Sequence, residues 1–147
     1  MAEKKISELT AKGAALAQTD LMIISEVSGA SYVTKSVTGA NIRDPRVQSV
    51  VSSATVTATS TNDLVKITAQ AAALALANPT GTFAEGQALI FRIKDNGTAR
   101  AISFDTNFRA VGVTLPTTTT ISKTTYVGCI YNSTDDKFDV IASLTQA

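Results

Sequence analysis

The chain has 147 residues, 44% of them apolar but only 5% aromatic and none of them Trp. That fits one or two small domains with a core built mostly from small aliphatic side chains, for which burial against further copies of the chain is a natural supplement. The balance of 13 Lys and Arg against 12 Asp and Glu, net +1, argues against a nucleic-acid partner, and the absence of His excludes His-based acid–base catalysis and mixed Cys/His zinc sites.

The N-terminal stretch MAEKKISELT is charged and lacks the apolar segment of a secretory signal. No apolar run approaches the roughly 20 residues of a membrane-spanning helix, so the expectation is a chain made in a cytosol with no membrane partner. A short amphipathic piece at Ile6–Leu9 leads into a small-residue connector, 11–18, too short to hold a helix alone. Strand candidates follow at Leu21–Val27 and Tyr32–Val37, joined by Ser28-Gly29-Ala30-Ser31. Thr38-Gly39-Ala40-Asn41 breaks the pattern, and Asp44-Pro45 marks a boundary. Residues 1–45 thus read as an extended N-terminal arm containing a small β-hairpin, and 46–147 as the main domain.

From residue 47 the chain is rich in Thr, Ser and Val, which suit a pleated surface. Alternation is strict in Val56-Thr57-Ala58-Thr59 and in Leu64-Val65-Lys66-Ile67-Thr68. The run AQAAALALANPTG has helical propensity, but the spacing of Leu74 and Leu76 and the β character of its neighbours predict a strand. Further strands are expected at 87–94, 98–104, 109–113, 119–124, 125–131 and 137–143, separated by turns at 83–86, 96–97, 115–116 and 133–136. Short strands at this spacing predict an all-β fold, an antiparallel sandwich or barrel. The outward faces read as short and ordinary.

Asn96-Gly97 in IFRIKDNGTARAISF is a strong hairpin signal. A two-residue type I′ turn would pair Ile93 with Arg100, Phe91 with Ile102 and Leu89 with Phe104. Leu89, Phe91, Ile93, Ile102 and Phe104 then share the core face, and Ile90, Arg92 and Lys94 the opposite face. Arg100 lies at the turn end of the core face, its head reaching water or Asp95. Two readings of Arg92, Lys94 and Arg100 compete: a solvated face whose cations protect a strand edge, or a subunit contact.

Cys129, the one cysteine, lies in an apolar run and reads as a small buried hydrophobe. The Asp residues fall mostly at turns, where they suit backbone hydrogen bonding rather than a carboxylate pair. Asp135-Asp136 lacks the remainder of a calcium loop. NPTGTFAEGQ lacks the Lys-Ser/Thr end of a phosphate-binding loop. No catalytic, cofactor or metal residues are therefore assigned, and no enzyme activity or cofactor is expected.

Two segments carry a family resemblance. Ile6-Ser7-Glu8-Leu9, Thr19-Asp20-Leu21 and Lys35-Ser36-Val37-Thr38 resemble the N-terminal module of small tailed-bacteriophage virion proteins. Gly86-Gln87, Arg92 to Thr98 (RIKDNGT), Gly112, Leu115-Pro116, Lys123, Tyr126-Val127-Gly128, Tyr131-Asn132 and Phe138-Asp139-Val140 resemble a β-domain of phage capsid-decoration, head-fibre and tail-fibre-like proteins. The resemblance implies a non-enzymatic structural component of a virion, assembled in the bacterial cytoplasm. It implies a homotrimeric capsid-decoration or head-fibre protein held on a phage capsid protein through the N-terminal module; the candidate anchoring residues are then Ile6, Leu9, Leu21, Ile23, Tyr32 and Val33, and Arg92, Lys94 and Arg100 are the candidates for a subunit interface. The alternative it leaves open is a tail-associated adaptor or adhesin, held on a tail protein and binding a host-surface glycan.

Overall fold

The computed structural model describes residues 21–28, 31–38 and 44–147. The chain divides into two compact units, Met1–Asp44 and Pro45–Ala147. In the first, β1 (Leu21–Ser28) and β2 (Ser31–Thr38) form an antiparallel pair with Leu21 opposite Thr38, Ile23 opposite Ser36, Val27 opposite Tyr32 and Glu26 opposite Val33. Leu21 and Ile23 lie on β1 and Tyr32 and Val33 on β2, while the expected turn residues 29–30 lie outside the described residues. Ile6, Leu9, the connector at 11–18 and the break at 39–41 lie outside the described residues.

The second unit is all-β. Its strands are β3 (Val47–Val50), β4 (Thr55–Thr59), β5 (Leu64–Gln70), β6 (Leu74–Thr80), β7 (Ala88–Asp95), β8 (Ile102–Phe104), β9 (Phe108–Ala110), β10 (Thr124–Asn132) and β11 (Lys137–Thr145). A six-stranded sheet runs in the order β3-β5-β7-β10-β11-β9, and a three-stranded sheet in the order β4-β6-β8.

The expectation of an antiparallel fold is corrected. From β3 to β8 the chain alternates between the sheets, so each strand lies parallel to the one two elements earlier: β3 with β5, β5 with β7, β4 with β6 and β6 with β8. Parallel neighbours need a crossover, and here the crossover is a strand of the other sheet rather than a helix. The antiparallel pair β10–β11 inserts between β7 and β9, with β10 antiparallel to β7 and β9 parallel to β11.

The Asn96-Gly97 hairpin is also corrected. After Asp95 the chain passes to the other sheet, and β8 pairs with β6, not β7. Both flanks of β7 are occupied, by β5 and β10, so Phe91 lies opposite Val127 and Ile93 opposite Thr125. Gly97 adopts φ 106°, a left-handed conformation that Gly accepts without strain, while its N–H donates to Asp95 Oδ1 at 2.7 Å. The turn chemistry is real, but it builds a corner between sheets. The expected strand at 98–104 shortens to Ile102–Phe104, and 119–124 is not a strand apart from Thr124.

Alternation nonetheless predicts the core faces. Leu89, Phe91 and Ile93 are fully buried and Ile102 nearly so, with Phe104 packed half-buried against them. Val56, Ala58, Leu74 and Leu76 from the small sheet and Val65, Val127, Phe138 and Val140 from the large one join the same core. Side-chain amides tie the corners. Gln70 is completely buried, and its Nε2 donates to the Ser53 carbonyl at 2.8 Å and the Ala72 carbonyl at 2.7 Å, joining the β3–β4 and β5–β6 connections. Gln70→Ala removes both of these bonds and the one that its Oε1 accepts from the Ser53 N–H at 3.3 Å, so a loss of about 2 kcal/mol is expected, read as a lowered urea midpoint.

Cys129 is buried, as its apolar run predicts, and burial pushes its thiol up to about 12. The buried thiol stays protonated, so its contribution to stability is complete below the unfolded value of about 8.5 and is lost as pH rises toward the folded one. The native protein is expected to resist a thiol-specific disulfide reagent at pH 8 and to react stoichiometrically once unfolded in urea. Rapid labelling of native protein would contradict this placement.

Candidate functional site

The outward face of the six-stranded sheet is built in cross-strand rows. One is apolar and small: Val47, Leu64, Ile90, Gly128 and Ala142 are successive register partners across β3, β5, β7, β10 and β11. The next row runs Ser49, Lys66, Arg92, Tyr126 and Leu144 across the same strands. Lys94 opposite Thr124 begins a third. The expectation of ordinary outward faces is therefore corrected: Ile90, Ile130, Tyr126, Leu144 and the bulged Ile141 all stand exposed. Isolated exposed apolar residues are unremarkable, but a continuous set on one face marks a contact surface.

Lys66, Thr68, Arg92, Lys94, Thr124 and Tyr126 surround a shallow hollow of about 280 Å³ at one end of this face. It adjoins a second hollow of about 400 Å³, which shares Thr124 and Tyr126 and is completed by Leu144, Thr145 and Gln146. Lys66 and Arg92 lie directly side by side in the parallel β5–β7 register. Placing like charges opposite each other in a sheet is unfavourable. Among the described residues no carboxylate forms an ion pair with Lys66, Arg92 or Lys94.

The β7 corner is tied to the hollow through Lys94. Asp95, 3% exposed, accepts hydrogen bonds from Thr119 Oγ1 at 2.6 Å, Gly97 N–H at 2.7 Å and Ser122 N–H at 2.9 Å. Burial acts to raise its pKa, but these bonds and the nearby charge of Arg100 outweigh it, so the carboxyl lies below its ordinary value. Ser122, itself fixed by Asp95, accepts a bond from Lys94 Nζ at 2.6 Å through its carbonyl. The ammonium is thereby positioned at the rim.

Of the three cations expected to act together, the structure unites Arg92 and Lys94. Arg100 stands apart on the β7–β8 corner, where its N–H donates to Thr119 Oγ1 and its side chain lies near Asp95, as one of its two expected placements had it. The edge-protection reading fails, because β7 is an interior strand between β5 and β10. Lys66 completes the cluster. Its parity in LVKIT places it outward, but only the β5–β7 pairing brings it to Arg92.

A second charged group lies at the β10–β11 turn. Arg109 Nε meets Asp139 at 2.7 Å and its guanidinium meets Asp135 at 2.8 Å, and the bond to Asp139 is the leading cause of its raised pKa. Asp136 accepts from the Tyr131 hydroxyl, and Glu85 from the N–H and hydroxyl of Ser133. Each of these acids is partnered, Asp135 and Asp139 by Arg109 on β9, Asp136 by Tyr131, and Glu85, from the loop before β7, by Ser133. Among the described residues no group of three or more His, Cys, Asp or Glu is placed to hold a metal, and no helix is long and apolar enough to cross a membrane.

No family model matches the chain, and no curated protein or solved structure matches it either.

Proposed function

We propose that the protein is a non-enzymatic structural component of a bacteriophage virion, a homotrimeric capsid-decoration or head-fibre protein. In this reading the Pro45–Ala147 unit is a two-sheet sandwich that self-associates, and the Met1–Asp44 unit carries attachment to a capsid protein. The observation that carries the reading is the apolar row Val47–Leu64–Ile90–Gly128–Ala142, which crosses five strands of one sheet and leaves Val47 48% and Ile90 43% exposed. An exposed apolar face of this kind is what a small domain presents when it buries further surface between copies. Gly128, the fourth of the five, adds no side chain to the row.

The β1–β2 hairpin belongs to a unit distinct from this core. Attachment and self-association are therefore separable. Immunogold labelling of particles should decorate the capsid with the full chain, and deletion of residues 1–44 should remove the label while the remaining unit stays folded by circular dichroism. Particles that still bind the truncated protein would contradict the assignment of attachment. Ile90→Glu places a charge in the apolar row without entering the core, and is expected to yield folded monomers in sedimentation velocity. An unchanged oligomer would move the contact elsewhere.

A further inference from the structure

The geometry points to the Lys66–Arg92–Lys94 hollow as a binding site for a tetrahedral oxyanion, the phosphate or sulfate group of a free ion or of an ester. Four observations meet there. Three cations converge from two adjacent strands in a chain whose net charge is only +1. Two of them, Lys66 and Arg92, are direct cross-strand partners, an arrangement that repels itself while the hollow is empty. No carboxylate among the described residues neutralises the cluster. All three are half-buried on an interior part of the sheet, and Lys94 is fixed to the Ser122 carbonyl.

A divalent tetrahedral anion matches this set better than a carboxylate does. It offers oxygens to the Arg92 fork and to both ammonium groups at once. The hydroxyls of Thr68 and Thr124 border the same hollow and add neutral donors. At about 280 Å³ the hollow has room for more than the anion alone. Tyr126, 42% exposed and opposite Arg92, gives a flat apolar surface on which the organic part of an ester can rest. The site lies on the same outward sheet face as the apolar row, one row further along the strands.

The test is an amide chemical-shift titration of the full chain at low ionic strength. The probes are inorganic phosphate, glucose 6-phosphate, glucose, and sodium chloride at matched ionic strength. Saturable shifts confined to the strands around Lys66, Arg92 and Thr124 are expected with the two phosphates and not with glucose or chloride. Tighter binding of glucose 6-phosphate indicates an ester as the ligand, and equal binding indicates the free ion; both support the site. Arg92→Gln and Lys66→Gln should each weaken binding on the order of tenfold. Lys66→Gln should also leave the empty protein as stable as the parent or more so, because it relieves a like-charge pair, and this is a result that a merely structural lysine would not give.

Shifts reproduced by chloride would overturn the proposal. So would binding of a 20-base-pair DNA duplex without binding of either small phosphate, which would mark the cations as a backbone-tracking surface. Dissociation of an oligomer by Arg92→Gln would overturn it as well, because the cations would then be a subunit contact.

Discussion

Phe138→Ala is expected to lower the stability of the protein by about 4 kcal/mol, the largest effect of any single truncation considered for this fold. Phe138 is 1% exposed on β11. Its ring meets Phe83 edge-on at 4.8 Å, Tyr131 at 5.1 Å and Phe108 at 5.9 Å between centroids. In the sheet it lies opposite Tyr131 on β10 and Phe108 on β9. One side chain therefore joins the C-terminal hairpin, the parallel edge strand β9 and the loop before β7. Truncation removes the transfer energy of a ring and leaves a cavity whose aromatic walls lose their partners. Against a total stability of roughly 5–15 kcal/mol this is a large fraction. Phe138→Leu keeps much of the volume and should cost less than half as much. Urea titration measures both through the shift in midpoint at constant slope. A loss under about 1 kcal/mol for Phe138→Ala would mean that the ring does not sit in a packed core.

Asp95→Ala is expected to cost about 3 kcal/mol, because charge-assisted hydrogen bonds are lost together and their donors are stranded. Thr119, also 3% exposed, donates its hydroxyl to Asp95 and to no other acceptor among the described residues. The Gly97 and Ser122 amides lose the carboxylate oxygen that they share. The pH dependence follows from the depressed pKa of Asp95. Its contribution is complete above the unfolded carboxyl value of about 3.9 and is lost as pH falls through the lower folded value. Asp95→Asn removes that titration. The gap in urea midpoint between the parent and Asp95→Asn should therefore be wide at pH 7 and narrow as pH falls below the unfolded carboxyl value of about 3.9. A gap that does not change with pH would show that the carboxylate charge contributes nothing. Because Ser122 also anchors Lys94, the Ala variant should disturb the basic hollow as well as the core.

Much of this fold was legible one strand at a time. Alternation in LVKIT and ALIFRIKD separates the buried Val65, Ile67, Leu89, Phe91 and Ile93 from the outward Lys66, Ile90, Arg92 and Lys94, whatever the partners of those strands are. What alternation cannot contain is the partner. Asn96-Gly97 carries the same local chemistry in a hairpin and in a corner between sheets. The choice is made by β5 and β10, which close both flanks of β7 from distant parts of the chain. The parallel winding is hidden for the same reason, since each crossover is itself a short strand rather than a helix that the pattern could announce. The candidate site shares this limit. Arg92 and Lys94 are neighbours on one strand and were legible as a pair. Lys66 and Tyr126 reach them only through pairing.

Sedimentation equilibrium of the purified chain at tens of micromolar tests the central claim most directly, because the proposed role rests on an apolar sheet face that a second and third copy cover. The predicted result is a single species with three times the mass of the chain, which Ile90→Glu converts to a folded monomer. A monomer at that concentration, with the β unit folded, would contradict the account.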